Sequence, residues 1–349
     1  MFEESFLIKA ISMKNIYSRL SLIILVVLAG CAKSIDKTEI FQKDLNIVCD
    51  VHSQVKEILN DDVLIGSNAR PVIMQDYLII GDYKSPDKLI HIFNKKDFKY
   101  LVSTADLGQG PDEITGMGNI ATDEGRHKFY VSDHGKQKIF SYDIDSVLAN
   151  PDYKPTVKVE MNASQFPDRY KYLNDTLSYA ILIEPTNEST FKQSVVKWNM
   201  LSNTFTPIKY NNPEIKKPRM SFAVSVDKGL LVECYTYHDL ITICNLSGEL
   251  VCNIYGPLWD NKVSNRIHHF GDVAFCKDKI VALYSGGDNS TNEYYPTKFI
   301  VFNLDGSYVK TLDVGYKIMD FCYDEDEDRI IMNCNDEFQF AYLDLKGLI

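Results

Sequence analysis

Leu78-Ile79-Ile80-Gly81-Asp82 returns in altered letters along the whole chain. Its counterparts are Phe129-Tyr130-Val131-Ser132-Asp133, Ala180-Ile181-Leu182-Ile183-Glu184, Leu230-Leu231-Val232-Glu233-Cys234, Ile280-Val281-Ala282-Leu283-Tyr284 and Ile330-Ile331-Met332-Asn333-Cys334. The intervals are 51, 51, 50, 50 and 50 residues. Short β-like runs at a fixed period of this length mean a solenoid, a propeller or an array. Asp76, Asp278 and Asp328 each stand two residues ahead of a run, where Asp closes a tight hairpin.

Each run is followed by a second strand that ends near an aromatic and an Asn or Asp, as in Phe93-Asn94, Tyr142-Asp143, Trp198-Asn199 and Phe302-Asn303. Turns such as Asn245-Leu246-Ser247-Gly248 come next, and then a further strand. With the strand ahead of each run, every repeat holds four strands, the content of a propeller blade. The sixth repeat stops at Ile349 with three strands, while Asn46 to Ile65 is surplus strand-like chain before the first repeat. The expectation is all-β: a six-bladed β-propeller of four-stranded antiparallel blades over 46–349. An N-terminal strand closes the ring by completing the last blade, which removes exposed edges.

Upstream, Lys14 and Arg19 precede an apolar run from Leu20 to Leu28, which leads into Leu28-Ala29-Gly30-Cys31. A basic start, a short apolar core and small residues before a cut make a secretory signal. The closing cysteine resembles the bacterial lipobox, in which the thiol is acylated and becomes the mature N-terminus. The run is too short to span a bilayer comfortably. Glu3 and Glu4 sit ahead of the basic region, where signals avoid acids, so Met13 is the better start. The reading is a signal peptide over 1–30, lipidation at Cys31 and a polar tether over 31–45. That places the protein in the cell envelope, anchored to a membrane and facing the periplasm or the cell surface.

The chain has 349 residues, 45% of them apolar and 12% aromatic, which suffices for a large core. Its net charge of −11 is spread along the sequence and argues against nucleic acid as a partner, since phosphate binding needs a basic face. Seven of the eight cysteines remain once Cys31 is set aside, so at least one thiol stays free or pairs between molecules. Cys234, Cys244 and Cys252 fall on successive strands and allow a local bridge. For most of the seven, a buried free thiol acting as a small hydrophobe is the preferred reading. No Cys-x-x-Cys spacing supports zinc or thioredoxin-type chemistry, and no cofactor is called for.

Leu107-Gly108-Gln109-Gly110-Pro111-Asp112-Glu113-Ile114 closes the first repeat. Together with the lipobox and Tyr77-Leu78-Ile79-Ile80…Leu89-Ile90-His91-Ile92-Phe93-Asn94, it resembles the TolB-like six-bladed propeller lipoproteins of Gram-negative gut-type bacteria. The resemblance covers nearly the whole mature chain. It implies a periplasmic or outer-membrane-tethered propeller and supplies no catalytic residues.

In a four-stranded blade, the loops between blades and those joining second to third strands share one face, where ligands meet the channel mouth. Arg70, Asp82, Tyr83, Asp133 and His134 belong there from the first two repeats, and Arg169, Arg219, Tyr235, His238 and Arg266 from the next three. Arg169 and Arg219 are 50 residues apart, each 11 before its run, and Arg70 and Arg266 sit near equivalent places. Guanidiniums converging on the channel suit a carboxylate or phosphate. In so acidic a chain, pairing of each with a neighbouring acid is the stronger expectation.

Tyr235-Thr236-Tyr237-His238 and the stretch from Trp259 to His269 offer aromatic surface to sugar or peptide. Asp324-Glu325-Asp326-Glu327-Asp328 fails as a calcium loop, with Arg329 where Gly is needed and Asn335 where Glu is needed, and reads as a solvated turn. His268 and His269 would point to opposite sides of a strand. Gly108-Gln109-Gly110 opens no helix, and no Gly-x-Ser-x-Gly elbow is present. These features point to a lipid-anchored binding or scaffold module for a protein, peptide or glycan. The alternative is a propeller hydrolase or lyase using Asp82, Asp133 and His134. A quinoprotein-like redox propeller finds no specific support.

Overall fold

The computed structural model describes residues 38–150, 152–187, 190–216, 218–262 and 264–349. Six sheets follow one another in chain order, each built on antiparallel blade strands. From inner to outer strand, blade 1 is Ala69–Met74, Tyr77–Asp82, Lys88–Asn94 and Tyr100–Asp106, and blade 2 is Met117–Asp123, Lys128–Asp133, Lys138–Asp143 and Thr156–Glu160. Blade 3 is Phe166–Asn174, Leu177–Pro185, Phe191–Asn199 and Thr204–Pro207, and blade 4 is Met220–Ser225, Leu230–Tyr235, Leu240–Asn245 and Leu250–Tyr255. Blade 5 is Ile267–Cys276, Lys279–Asp288, Lys298–Asn303 and Tyr308–Asp313, and blade 6 is Ile318–Asp324, Arg329–Cys334 and Phe340–Asp344.

The repeated runs are the second strands, and their near-continuous apolarity has a simple cause. Successive side chains point to opposite faces of a strand, and both faces of a blade are covered by neighbours. Ile79 packs toward blade 2, beside Phe129 and Val131, while Leu78 and Ile80 pack toward blade 6, beside Ile331 and Phe340. Blade 5 repeats the rule. Its Val281 and Leu283 meet Ile330 and Met332 of blade 6, and its Ile280 and Ala282 meet Val232 and Ile243 of blade 4.

The ring closes as expected, with Lys56–Glu57 pairing antiparallel to Ala341 and Tyr342 as the fourth strand of blade 6. The N-terminal strap does more than that. Glu39–Phe41 adds a fifth strand to blade 4, and Val48–Asp50 adds one to blade 5, parallel to its outer strand. The expected tether over 31–45 is therefore too long. Phe41 stacks on Tyr255 at 4.8 Å, and the Gln42 N–H donates to the Tyr255 carbonyl at 2.8 Å, because apolar Ile40 and Phe41 find apolar edge to cover. The signal peptide and Cys31 lie outside the described residues.

The one described α-helix, Ile144–Ala149, is a capped turn between strands, and no described helix is long and apolar enough to cross a membrane. The seven described cysteines are all free thiols, five of them buried.

The acidic turn after Tyr323 is not the solvated loop expected of it. Asp324 is fully buried, bonded by the Arg329 guanidinium at 3.1 Å and by Lys95 of blade 1 at 3.1 Å, and Lys95 also reaches Asp326 at 2.6 Å. Asp328 accepts from Tyr323 at 2.9 Å and pairs with Lys277 of blade 5 at 2.5 Å. The turn locks blade 6 to both neighbours.

Candidate functional site

The channel is lined by the inner strands, and four of these are bulged. Between Met117 and Ile120, between Pro167 and Tyr170, between Phe270 and Val273, and between Ile318 and Asp320, the inner strand slips register against its partner. A bulge re-aims side chains, and here Arg169, Asp272 and Asp320 come together in the channel. One Arg169 nitrogen pairs with Asp272 at 2.6 Å and another with Asp320 at 3.6 Å, while Arg70 pairs with Asp320 at 3.2 Å.

Two guanidiniums and two carboxylates thus form a neutral belt. Burial works against the Arg169 charge, yet Asp272 and Asp320 outweigh it and raise its pKa. Burial, and then the Asp272 carboxylate, push Asp320 upward against the pull of both guanidiniums. Tyr83 lies under the Arg70 guanidinium at 5.0 Å and donates to the Gly118 carbonyl at 2.6 Å.

The arginine convergence is thereby half corrected. Arg70 and Arg169 meet, but around acids and not around open space. Arg219 does not join them. It precedes an unbulged inner strand, where Met220 pairs directly with Tyr235, so equal spacing from the repeated run does not give an equal place in the blade.

Other candidates hold loops. Asp82 accepts from the backbone N–H groups of Gly66 and Lys84 at 2.7 and 2.9 Å. Asp133, fully buried, accepts from Thr115, Gly116 and Gly135, each at 2.9 Å. A carboxylate saturated by amides that fix the loop between blades is committed to structure. His134 packs its ring against Phe166 at 5.2 Å. Tyr235 does not lie on the ligand face. It points between blades and donates to Glu233 at 2.7 Å, in a buried pair. Arg266 is exposed and held by Asp288 at 2.8 Å.

The upper face opens instead between blades 3, 4 and 5, into a cavity of about 890 Å³. Thr186, Thr190, Phe191 and Lys192 supply one wall, Lys216, Pro218 and Arg219 the next, and Tyr237, His238, Ser264 and Asn265 the third. No acid lines it among the described residues. Lys192 leans toward Glu184 at 3.7 Å, and Arg219 lies 4.6 Å over the Phe191 ring. Lys216 and Arg219 make no ion pair with a described residue. Sequence reasoning passed over Lys216 and Lys192, although Lys216-Lys217-Pro218-Arg219 is a basic cluster in a chain of net charge −11.

Beside this cavity, rings run in a row: Tyr237 to His268 at 5.3 Å, His268 to Tyr294 at 5.5 Å, and Tyr294 stacked on Tyr295 at 4.3 Å. They border a second cavity of about 200 Å³, which Phe270, Pro296, Ile318 and Met319 help to line. His268 and His269 do diverge, and His269 is buried next to Asp239, their nearest atoms 4.0 Å apart and unbonded.

Burial pushes Asp239 up to about 6 and His269 down to about 4. The Leu258 N–H donates to Asp239 at 2.9 Å, and Gly256 leaves its carboxylate room, since a Cβ there would lie 2.2 Å away. Asp239, only 1% exposed, is sealed beneath the cavities, while His269 forms part of the lining of the smaller one. No group of three or more His, Cys, Asp or Glu among the described residues is placed to hold a metal.

Solved structures share the fold at very low identity. A DUF4221 family member from Bacteroides vulgatus superposes with a TM-score of 0.54 at 10% identity, over 84% of this chain and 98% of its own. A protein from Bacteroides fragilis described as exported gives 0.55 at 10% identity, over 88% and 98%. A gluconolactonase from Xanthomonas campestris gives 0.50 at 12% identity, over 78% and 84%. Likeness at this level concerns the fold alone. None of the curated proteins is similar enough in sequence to count as a relative. The six-bladed ring implied by the TolB-like resemblance stands, and the family model that matches is described by that ring alone. The DUF5128 family, described as 6-bladed beta-propeller, matches residues 42–238, more than half of the sequence, and the chain belongs to it.

Proposed function

We propose that this protein is a lipid-anchored propeller of the cell envelope that binds an anionic partner in the upper cavity between blades 3, 4 and 5. The observation that carries the reading is electrostatic. Lys192, Lys216 and Arg219 face one cavity with no described acid in its lining, in a chain of net charge −11. Lys216 and Arg219, with no ion pair to a described residue, and Lys192, shared with Glu184, attract a counter-charge to a concave site, and a guanidinium grips carboxylate in a fixed fork. The lipobox at Cys31 and the exported structural neighbour support the address.

An acid–base enzyme has less support. Asp82 and Asp133 are saturated by loop amides, and Asp239 is buried out of reach of either cavity, 4.0 Å from the His269 ring and unbonded to it.

The test uses the mature chain carrying Cys31→Ser, so that it is soluble, with labelled polyglutamate as the probe. Binding should weaken as salt rises and fall about tenfold or more in Lys216→Ala/Arg219→Ala, the loss expected for two charge-assisted contacts. Equal binding by the wild-type and doubly substituted proteins would remove the cavity from the argument. Retention of a Cys31→Ala protein in the membrane fraction would remove the anchor.

A further inference from the structure

The two upper cavities are neighbours of opposite character. The larger carries Lys192, Lys216 and Arg219. The smaller is lined by Phe270, Pro296, Ile318 and Met319, with Tyr294 and Tyr295 at its edge. One loop separates them, the turn between the second and third strands of blade 4, whose Tyr237 and His238 face the basic cavity and whose Thr236 faces the apolar one. The Tyr237 and His268 rings, 5.3 Å apart, bridge the two mouths. A compact anion would use only the first cavity. The second also carries Thr236, His268, His269 and Ser285, but Phe270, Pro296, Ile318, Met319 and the tyrosine rings make most of its wall apolar, which suits a hydrocarbon or aromatic side chain.

From this pairing, and resting on the anionic-partner reading above, we infer that the ligand is a protein segment with an acidic stretch beside an apolar side chain. The acids sit against Lys216 and Arg219, the intervening backbone crosses Tyr237 and His268, and the apolar side chain fills the pocket floored by Phe270 and Met319. Charge complementarity favours an acidic occupant, and the apolar pocket supplies the anchor that a run of charges lacks.

Three labelled probes test this on the soluble full-length mature chain by fluorescence anisotropy. They are a glutamate-rich peptide followed after a short spacer by phenylalanine, the same peptide with serine in place of phenylalanine, and an oligo-uronate. The phenylalanine peptide should bind about tenfold tighter than the serine peptide, as burial of one aromatic side chain requires. Met319→Asp, at a position 40% exposed and so compatible with folding, should erase that difference while leaving serine-peptide binding in place. Lys216→Ala/Arg219→Ala should weaken both peptides alike.

Equal affinity for the two peptides overturns the inference and leaves the anionic-partner reading standing. Absence of salt-sensitive binding by any probe overturns that reading as well. An oligo-uronate that binds more tightly than either peptide makes the partner a glycan and overturns the protein-segment assignment.

Discussion

Replacing Glu233 with glutamine should make this protein more stable at alkaline pH and nearly indifferent to pH in the range where the wild type declines. Glu233 is 5% exposed and faces a cavity of about 280 Å³ between blades 3 and 4. Among the described residues its one side-chain hydrogen-bond donor is Tyr235, at 2.7 Å. Its cross-strand neighbour Thr242 turns its hydroxyl to Asn253 instead, at 2.8 Å. Lys192 lines the same cavity but pairs with Glu184, at 3.7 Å, and not with Glu233. Burial pushes its carboxyl up to about 7 from 4.5, against the pull of the Tyr235 hydrogen bond.

An acid raised on folding stabilises the native state while protonated. That contribution is whole below the unfolded value and is lost as pH climbs through the folded one. The shift corresponds to about 3 kcal/mol in all, of which about 2.5 kcal/mol disappears between roughly pH 5 and 8. The amide of Glu233→Gln accepts from Tyr235 at any pH, so its stability should stay level and exceed the wild type by about 2 kcal/mol at pH 8. Urea titrations at both pH values read this as a midpoint higher by about half a molar at alkaline pH. Parallel pH profiles for the two proteins, or a glutamine variant weaker at pH 8, would refute the assignment of a neutral buried carboxyl.

Arg169→Met should cost about 3 kcal/mol, since it strands Asp272 and leaves Asp320 to Arg70 alone, and Arg169→Met/Asp272→Leu should recover most of the loss. Chemical denaturation of the single and double variants decides this, and a double variant no better than the single would show that the belt is not a closed charge unit. Deleting residues 46–57 should lower the melting temperature far more than deleting 32–38. The first removes the fourth strand of blade 6 and the fully buried Val51, while the second spares every described strand. Equal melting temperatures would mean that the strap does not close the ring.

What was legible in the sequence is what every blade must have. A second strand buried on both faces has to be apolar at consecutive positions, so Leu78 to Ile80 and its five counterparts stand out by period alone. What was illegible is what differs between blades. No residue type announces a bulge, so nothing in the spacing of Arg169 and Arg219 told that one lies in slipped register and the other ahead of an unbulged strand. The acidic turn after Tyr323 misled for a related reason. Its partner Lys95 lies 231 residues from Asp326 in sequence and becomes a neighbour only through ring closure.

The upper cavities follow the same logic, and here a signal was present. The second strands of blades 1, 2, 4 and 6 are six residues long, but those of blades 3 and 5 are nine and ten. Counted from the repeated run, blade 5 overruns at its upper end, to Asp288, which at about 3.3 Å per residue lifts its hairpin roughly 10 Å above the common rim, whereas blade 3 gains two of its three extra residues at the lower end and stops at Pro185, level with Tyr235 of blade 4. Blade 5 thus rises beside blade 4, whose flanking loops bring Lys216, Arg219 and Tyr237 to the larger cavity. The period locates the scaffold, and the places where the chain overruns it locate the site.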